Sequence, residues 1–245
     1  MIKVTIFNEF YHEQAEDHVR EVYPKGIHVA IADFLACDEV KVRLAPLYDE
    51  NLQPTPDCNL SEEVLRDTDV LLWWGHMRHQ TVPDEVADRV CEHVKRGMGI
   101  IFLHSGHHSK PFKKLMGTTC NLKWRDGAKE RIWIINPAHP IMEGVDCEYF
   151  DLEREEMYGE RFDIPTPDEL LAIGCYATNE VFRSACTWQR GYGKIFYLQP
   201  GHETNRAYYN PYIQKILQNA VRWAKPTYRI DEAIPCPQYP AQPLE

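Results

Sequence analysis

Two short runs, Val70–Trp74 and Ile100–Leu103, are apolar at every position. A strand wetted on one face alternates polar and apolar residues. One without any polar position is covered on both faces, as in a parallel sheet lying between two layers of helices. The segment between the runs agrees: Pro83 suits a helix start, Val86, Val90 and Val94 give that helix a buried stripe, and Gly97 stops it. Toward the N-terminus the pattern continues with a strand at Lys3–Phe7, a helix through Ala15–Val22 ended or interrupted at Pro24-Lys25-Gly26, and a strand at Lys41–Leu47. Asp49–Asn59 is a polar, proline-containing surface loop, and Ser61 before Glu62 and Glu63 caps a short helix. The order β-α-β-α-β-α-β predicts an α/β fold with a mainly parallel sheet.

After Gly117 the pattern changes. Leu122–Arg125 and Arg131–Ile135 flank Asp126-Gly127 and are expected to form a β-hairpin or a β extension of the sheet. Phe150–Phe162, with Glu153, Glu155, Glu156 and Glu160, reads as too acidic for a core. Leu170–Cys175, Val181–Trp188 and Lys194–Leu198 are three more strands. Pro211–Ala224 is a last helix, buried through Ile213, Ile216, Leu217, Ala220 and Val221. Residues 226–245 hold five prolines and no periodicity, so the expectation is one domain over 1–225 and an extended proline-rich tail over 226–245.

The net charge of -10 argues against nucleic acid and anionic membranes as partners, since both require a basic face. No apolar run approaches the ~20 residues of a membrane span. Met1–Phe7 reads as a first strand rather than a secretion signal, which gives a cytoplasmic expectation. The eight cysteines contain no C-x-x-C pair and are expected to be free thiols.

In open α/β folds, ligands gather beyond the carboxyl ends of the strands. Here those ends read Asn8-Glu9-Phe10-Tyr11-His12-Glu13, Gly75-His76-Met77-Arg78-His79, His104-Ser105-Gly106-His107-His108 and Gln199-Pro200-Gly201-His202-Glu203. A flavodoxin-like strand order makes strands one, three and four neighbours, and the strand before His202 can lie beside the fourth. Imidazoles joined by a carboxylate serve either a transition metal or acid–base chemistry near neutral pH. There is no H-E-x-x-H motif, so metal ligands would come from separate loops. His18, His28 and His93 fall in or beside helices and read as surface groups. Trp73, Trp133 and Trp188 read as core, whereas Trp74 and Trp124 stand next to site candidates. The strand–His104-Ser105-Gly106–helix outline is that of a nucleophile elbow, but Leu103 and His107 replace the glycines of G-x-S-x-G.

Together the segments N-E-F-Y-H-E (8–13), W-W-G-H-M-R-H (73–79), L-H-S-G-H-H-S-K (103–110), L-K-W-R (122–125), N-P-A-H-P-I (136–141), E-E-M-Y-G-E (155–160), F-R-S-A-C-T-W (182–188), P-G-H-E-T (200–204) and N-A-V-R-W-A (219–224) resemble the trehalose-utilisation, ThuA-like family. The resemblance runs from Ile2 to Ala224. It implies a flavodoxin-like three-layer sandwich of the class I glutamine-amidotransferase-like kind. It also implies a place in bacterial disaccharide catabolism, beside dehydrogenases that make keto-sugars. The amidotransferase relatives carry a catalytic cysteine at the elbow where this chain has His104-Ser105-Gly106, so glutaminase activity does not carry over. His202 matches the neighbourhood of that superfamily's active-site histidine, and Glu155 and Glu156 add acids that the bare fold lacks.

These readings converge on a carbohydrate-acting enzyme that processes a keto-sugar or glycoside. His104, His202 and Glu156 are the expected catalytic residues. Asn8, Glu9, His12, Trp74, Trp124, Tyr158 and Glu203 are the expected substrate contacts. His76, His104, His202 and Glu156 are the expected ligands of a divalent metal ion, zinc or manganese, and no nucleotide cofactor is expected. The partners expected are a small carbohydrate and further copies of the chain, with the tail as an arm. A non-catalytic sugar-binding or regulatory module is the alternative, and a Ser105 hydrolase the third.

Overall fold

Nine strands form one sheet in the order β2-β1-β3-β4-β9-β8-β7-β5-β6 in a computed structural model that describes residues 1–232, 234–238 and 240. The chain runs β1 (Ile2–Asn8), α1 (His12–Ala15), α2 (Asp17–Val22), α3 (Ile27–Leu35), β2 (Val40–Pro46), α4 (Glu62–Arg66), β3 (Val70–Trp74), α5 (Asp84–Lys95), β4 (Gly99–Leu103) and α6 (Lys110–Met116). Then come β5 (Lys123–Ile134), β6 (Tyr149–Gly159), β7 (Glu169–Tyr176), β8 (Val181–Arg190), β9 (Gly193–Leu198) and α7 (Pro211–Ala224). The segment β2-β1-β3-β4-β9 is parallel throughout and has the flavodoxin-like order.

Alternation along the apolar strands sorts side chains onto two faces. Val70, Leu72, Trp74, Ile101 and Leu103 pack with α3 and α7, while Leu71, Trp73, Ile100 and Phe102 pack with α5 and α6. This double coverage is why β3 and β4 carry no polar position. On α7 the expected face of Ile213, Ile216, Leu217, Ala220 and Val221 is buried, each large aliphatic contributing roughly 1.5–3 kcal/mol. Ser61, Ser109 and Asn210 accept from backbone N–H groups at the starts of α4, α6 and α7.

The other half of the sheet corrects the expectation of a mainly parallel one, because β9-β8, β8-β7, β7-β5 and β5-β6 all pair antiparallel. Strands β5 to β9 follow one another without a crossover α-helix, and antiparallel pairing is what short links permit. Asp126-Gly127 is not a hairpin turn either. Strand β5 passes straight through it, and its register on β6 shifts between Arg125 and Ala128. Gly127 has φ +20°, and a Cβ there would lie 2.5 Å from Nε of Arg154, so the glycine permits a bulge with a close approach.

The acidic stretch is also corrected. It forms β6, in which Glu155 and Glu156 are buried and find partners from distant strand ends. His28 and His93 are buried as well: His28 Nδ1 lies 2.9 Å from the Asn8 amide, and His93 is 3.1 Å from Glu62. All eight cysteines are free thiols. No helix among the described residues is long and apolar enough to cross a membrane.

The tail begins as a strap on its own chain. Ile230 donates its N–H to Arg96, and the Arg229 guanidinium donates to the carbonyls of Thr68 and Leu65. Gly97, with φ +124°, leaves room for the Tyr228 carbonyl, which would lie 2.3 Å from a Cβ. Of the residues expected to form an arm, 233, 239 and 241–245 lie outside the described residues.

Candidate active site

Strands β1, β3, β4 and β9 finish level with one another, with Asn8 opposite Trp74, Trp74 opposite Leu103, and Leu103 opposite Leu198. The residues that follow each strand therefore share one edge, and β6 folds Glu156 and Tyr158 onto it. His104, the first residue after β4, has φ +50°, a left-handed conformation that costs a non-glycine residue ~1 kcal/mol or more. The strained position of this strand–turn–helix elbow is thus His104 and not Ser105.

The strain fixes an imidazole with both nitrogens engaged. His104 is fully buried, its Nδ1 is 3.0 Å from the Gln199 carbonyl and its Nε2 is 3.1 Å from Oε2 of Glu156. A carbonyl can only accept, so Nδ1 carries hydrogen and Nε2 faces the carboxylate. Burial alone would raise the Glu156 carboxyl, but the His104 hydrogen bond and the surrounding imidazoles outweigh it and hold it below the ordinary range. His104 Nε2 thus stands within hydrogen-bond distance of an ionised carboxylate. Tyr158 stacks on the His104 ring at 5.1 Å, and its hydroxyl lies 3.4 Å from Nε2 and 2.6 Å from Ser105 Oγ.

Three more imidazoles surround this pair. The His76 ring lies 6.0 Å from His104, 5.2 Å from His202 and 5.1 Å from His12. His76 Nδ1 is 3.1 Å from Glu203 Oε1. Burial would lower this imidazole's pKa and raise that of the carboxyl. Their mutual attraction overrides both, so His76 is shifted up and Glu203 far down. His202 accepts the Thr204 N–H at Nδ1, which places the hydrogen of its neutral form on Nε2. Burial, reinforced by the neighbouring His104, pushes His202 down to about 4, so at pH 7 it is a neutral donor.

Behind the edge, Glu155 accepts the N–H groups of Gly201 at 3.1 Å and His202 at 3.3 Å, and burial pushes it up to about 7. It ties the His202 loop to β6. Glu130, wholly buried beside Ser184, is raised far above the usual carboxylate range by burial and by Glu155.

The cluster lies where two cavities meet. One, of 440 Å³, is walled by His76, His79, Ser105, His107, Trp124 and Tyr158. The other, of 520 Å³, is walled by His18, Arg154, Glu203 and Asn205. Asp126, Glu156 and His202 face both.

Of the residues singled out in the sequence, His12, His76, His104, Glu156, Tyr158, His202 and Glu203 come together, and Trp124 stands at the rim, 64% exposed. Asn8, Glu9 and Trp74 do not reach the cleft wall, which corrects their expected place on substrate. Asn8 is buried between Glu13 and His28, Glu9 accepts the N–H groups of Met77 and Arg78, and Trp74 donates to the Gly201 carbonyl. They build the loops that carry the site. Sequence reading passed over Asp126 and Arg154, taking the first as part of a turn. It also missed Glu16, whose spacing of four from His12 on a helical stretch was the available signal.

Among the described residues, two groups bring ligand atoms within 4.8 Å of one another: His76 with Glu156 and His202, and His12 with His76 and Glu203. His104 belongs to neither, so its expected ligand role is corrected. In the first group Glu156 is engaged by His104, and the outward nitrogen of His202 carries hydrogen rather than a lone pair.

A family model described as trehalose utilisation, ThuA, matches residues 3–224. A thua-like protein from Parabacteroides merdae superposes with a TM-score of 0.64 at 17% identity, covering 94% of this chain and 92% of that one. A cytoplasmic protein from Salmonella typhimurium does so with a TM-score of 0.60 at 13% identity, covering 92% and 100%. Part of a β-galactosidase from Bacillus circulans also superposes, with a TM-score of 0.54 at 13% identity, covering 92% of this chain and 32% of that one. No curated protein matches by sequence.

Proposed function

The chain belongs to the ThuA family of trehalose utilisation, and from that premise we propose that it is an enzyme acting on a keto-sugar or glycoside in the two-cavity cleft. The observation that carries the reading is the His104–Glu156 pair, in contact at 3.1 Å, with the Glu156 carboxylate facing both cavities. A carbonyl on a sugar ring acidifies the neighbouring C–H. Glu156, held ionised by His104 and the imidazoles around it, takes that proton and breaks the C–H bond. The electron pair moves to the carbonyl oxygen as an enolate, which the neutral His202 Nε2–H meets with a hydrogen bond. Reprotonation at the former carbonyl carbon, while the hydroxyl on the deprotonated carbon passes its proton to the enolate oxygen and becomes the new carbonyl, completes an isomerisation. Alternatively the enolate re-forms the carbonyl while a β-positioned glycosidic C–O bond breaks, and the returning proton goes to the leaving oxygen, which is an elimination. Trp124, exposed at the rim, offers a face for a sugar ring, and Tyr158, its phenol kept protonated mainly by burial, walls the same cavity.

The reading is tested by assaying keto-disaccharides and their parent glycosides with wild type and Glu156→Gln. Turnover of a keto-sugar that falls 100-fold or more in the variant, with sugar affinity kept, supports it. Saturable sugar binding without turnover of any of these compounds overturns it in favour of a non-catalytic sugar-binding module.

A further inference from the structure

We propose that His12, His76 and Glu203 form a seat for one divalent transition-metal ion, with Glu16 as the carboxylate that aims His12 into it. The inference stands on these four residues and does not depend on the carbohydrate reading. His12 Nδ1 lies 2.8 Å from Glu16 Oε1. A carboxylate accepts, so Nδ1 carries the hydrogen and the lone pair of the ring is left on Nε2. A carboxylate behind a histidine is the arrangement that orients a metal-binding imidazole.

The atoms facing the seat are unsatisfied. His12 Nε2 and Glu203 Oε2 are each buried without a hydrogen-bond partner, His76 Nδ1 has only its 3.1 Å contact with Glu203 Oε1, and His12 and Glu203 are more than nine-tenths buried as residues. Leaving such atoms unpaired costs ~1–3 kcal/mol apiece. A proton on His76 would serve its contact with Glu203 and still leave His12 Nε2 orphaned. A cation serves all three. Ligands ~2.1 Å from a zinc ion stand ~3.5 Å apart, so rotations of about an ångström close a set now within 4.8 Å. Two imidazoles and one carboxylate with open positions form a donor set suited to catalytic zinc, and manganese or iron can also take it. His76 and Glu203 each wall one of the two cavities, so the open positions face the space a ligand would fill. There the ion can polarise a bound oxygen.

The test uses the full-length chain, stripped with a chelator and titrated with zinc chloride, and separately with manganese chloride, in the absence of sugar. Calorimetry and elemental analysis give affinity and stoichiometry. The expected result is one ion per chain, with affinity lowered at least 100-fold in His12→Ala and Glu203→Gln and 10–100-fold in Glu16→Gln. Glu156→Gln and His202→Asn are expected to change it less than threefold. Glu16 is partly exposed, so Glu16→Gln keeps the test decisive if the buried variants fail to fold. Absence of binding to wild type overturns the proposal, as does loss of binding in Glu156→Gln or His202→Asn with Glu16→Gln unaffected. Failure of the carbohydrate assay with intact metal binding leaves this seat standing.

Discussion

His104 and Glu156 meet at 3.1 Å across the end of β4, and the other nitrogen of His104 is held 3.0 Å from the Gln199 carbonyl. The second contact gives the first its meaning. With Nδ1 committed to a carbonyl, the ring presents only Nε2 to the Glu156 carboxylate. The left-handed backbone of His104, at φ +50°, makes both contacts possible at once.

Trp124 is 64% exposed yet walls the 440 Å³ cavity beside Tyr158. Trp124→Ala is expected to weaken sugar binding about five- to thirtyfold, ~1–2 kcal/mol, and to change stability by less than ~0.5 kcal/mol. Calorimetric titration and a urea melt read the two effects, and unchanged affinity removes the ring from the ligand.

Glu155 is raised from 4.5 to about 7 by burial, so the folded state holds its proton longer than the unfolded chain does. Its contribution to stability is fully present below pH 4.5 and is lost as pH rises through 7, a difference of roughly 3 kcal/mol. Glu155→Gln keeps an acceptor for Gly201 and His202 but cannot ionise. In urea melts it is expected to match wild type at pH 5 and to exceed it by ~1–3 kcal/mol at pH 8.5. Equal destabilisation at both values would contradict this.

The parallel half of the sheet was legible because its signals are local: apolar runs, a valine stripe, caps and a terminating glycine each lie within one element. His104 was legible as the first polar residue after such a run, and His202 as the first histidine after the strand at Lys194–Leu198. The antiparallel half was not, since Asp126-Gly127 signals a turn equally well when it serves a bulge beneath Arg154. Nor was the burial of Glu155 and Glu156, whose partners lie 46 and 52 residues away at Gly201 and His104. Charges look like surface until the group that neutralises them is known. For the same reason Asn8, Glu9 and Trp74 seemed poised for substrate, although their polar atoms are consumed inside the fold.

Buried neutral imidazoles set the acid limit. Burial pushes His28 down to about 4 and His79 to about 3. Their contribution is present above pH 6.5 and is lost as pH falls toward those values, about 3 kcal/mol for His28 alone by pH 4. His28→Gln is expected to flatten the loss of stability between pH 6.5 and 4. An unchanged slope in urea midpoints rules His28 out as a source.

Ser105 Oγ is turned to the Tyr158 hydroxyl at 2.6 Å. Ser105→Ala is expected to keep turnover within about tenfold, the effect of loosening Tyr158. A loss beyond 1,000-fold, with a trapped covalent intermediate in wild type, would make Ser105 a nucleophile.

The most direct measurement is hydrogen exchange at the carbon next to the carbonyl of a keto-disaccharide in deuterium oxide, followed by proton NMR at neutral pH. Wild type is expected to wash the signal out, with Glu156→Gln and His104→Gln at least 100-fold slower although the sugar still binds. Bound keto-sugar whose proton stays put in wild type, or exchange undiminished in Glu156→Gln, would contradict a proton-transfer role for the His104–Glu156 pair.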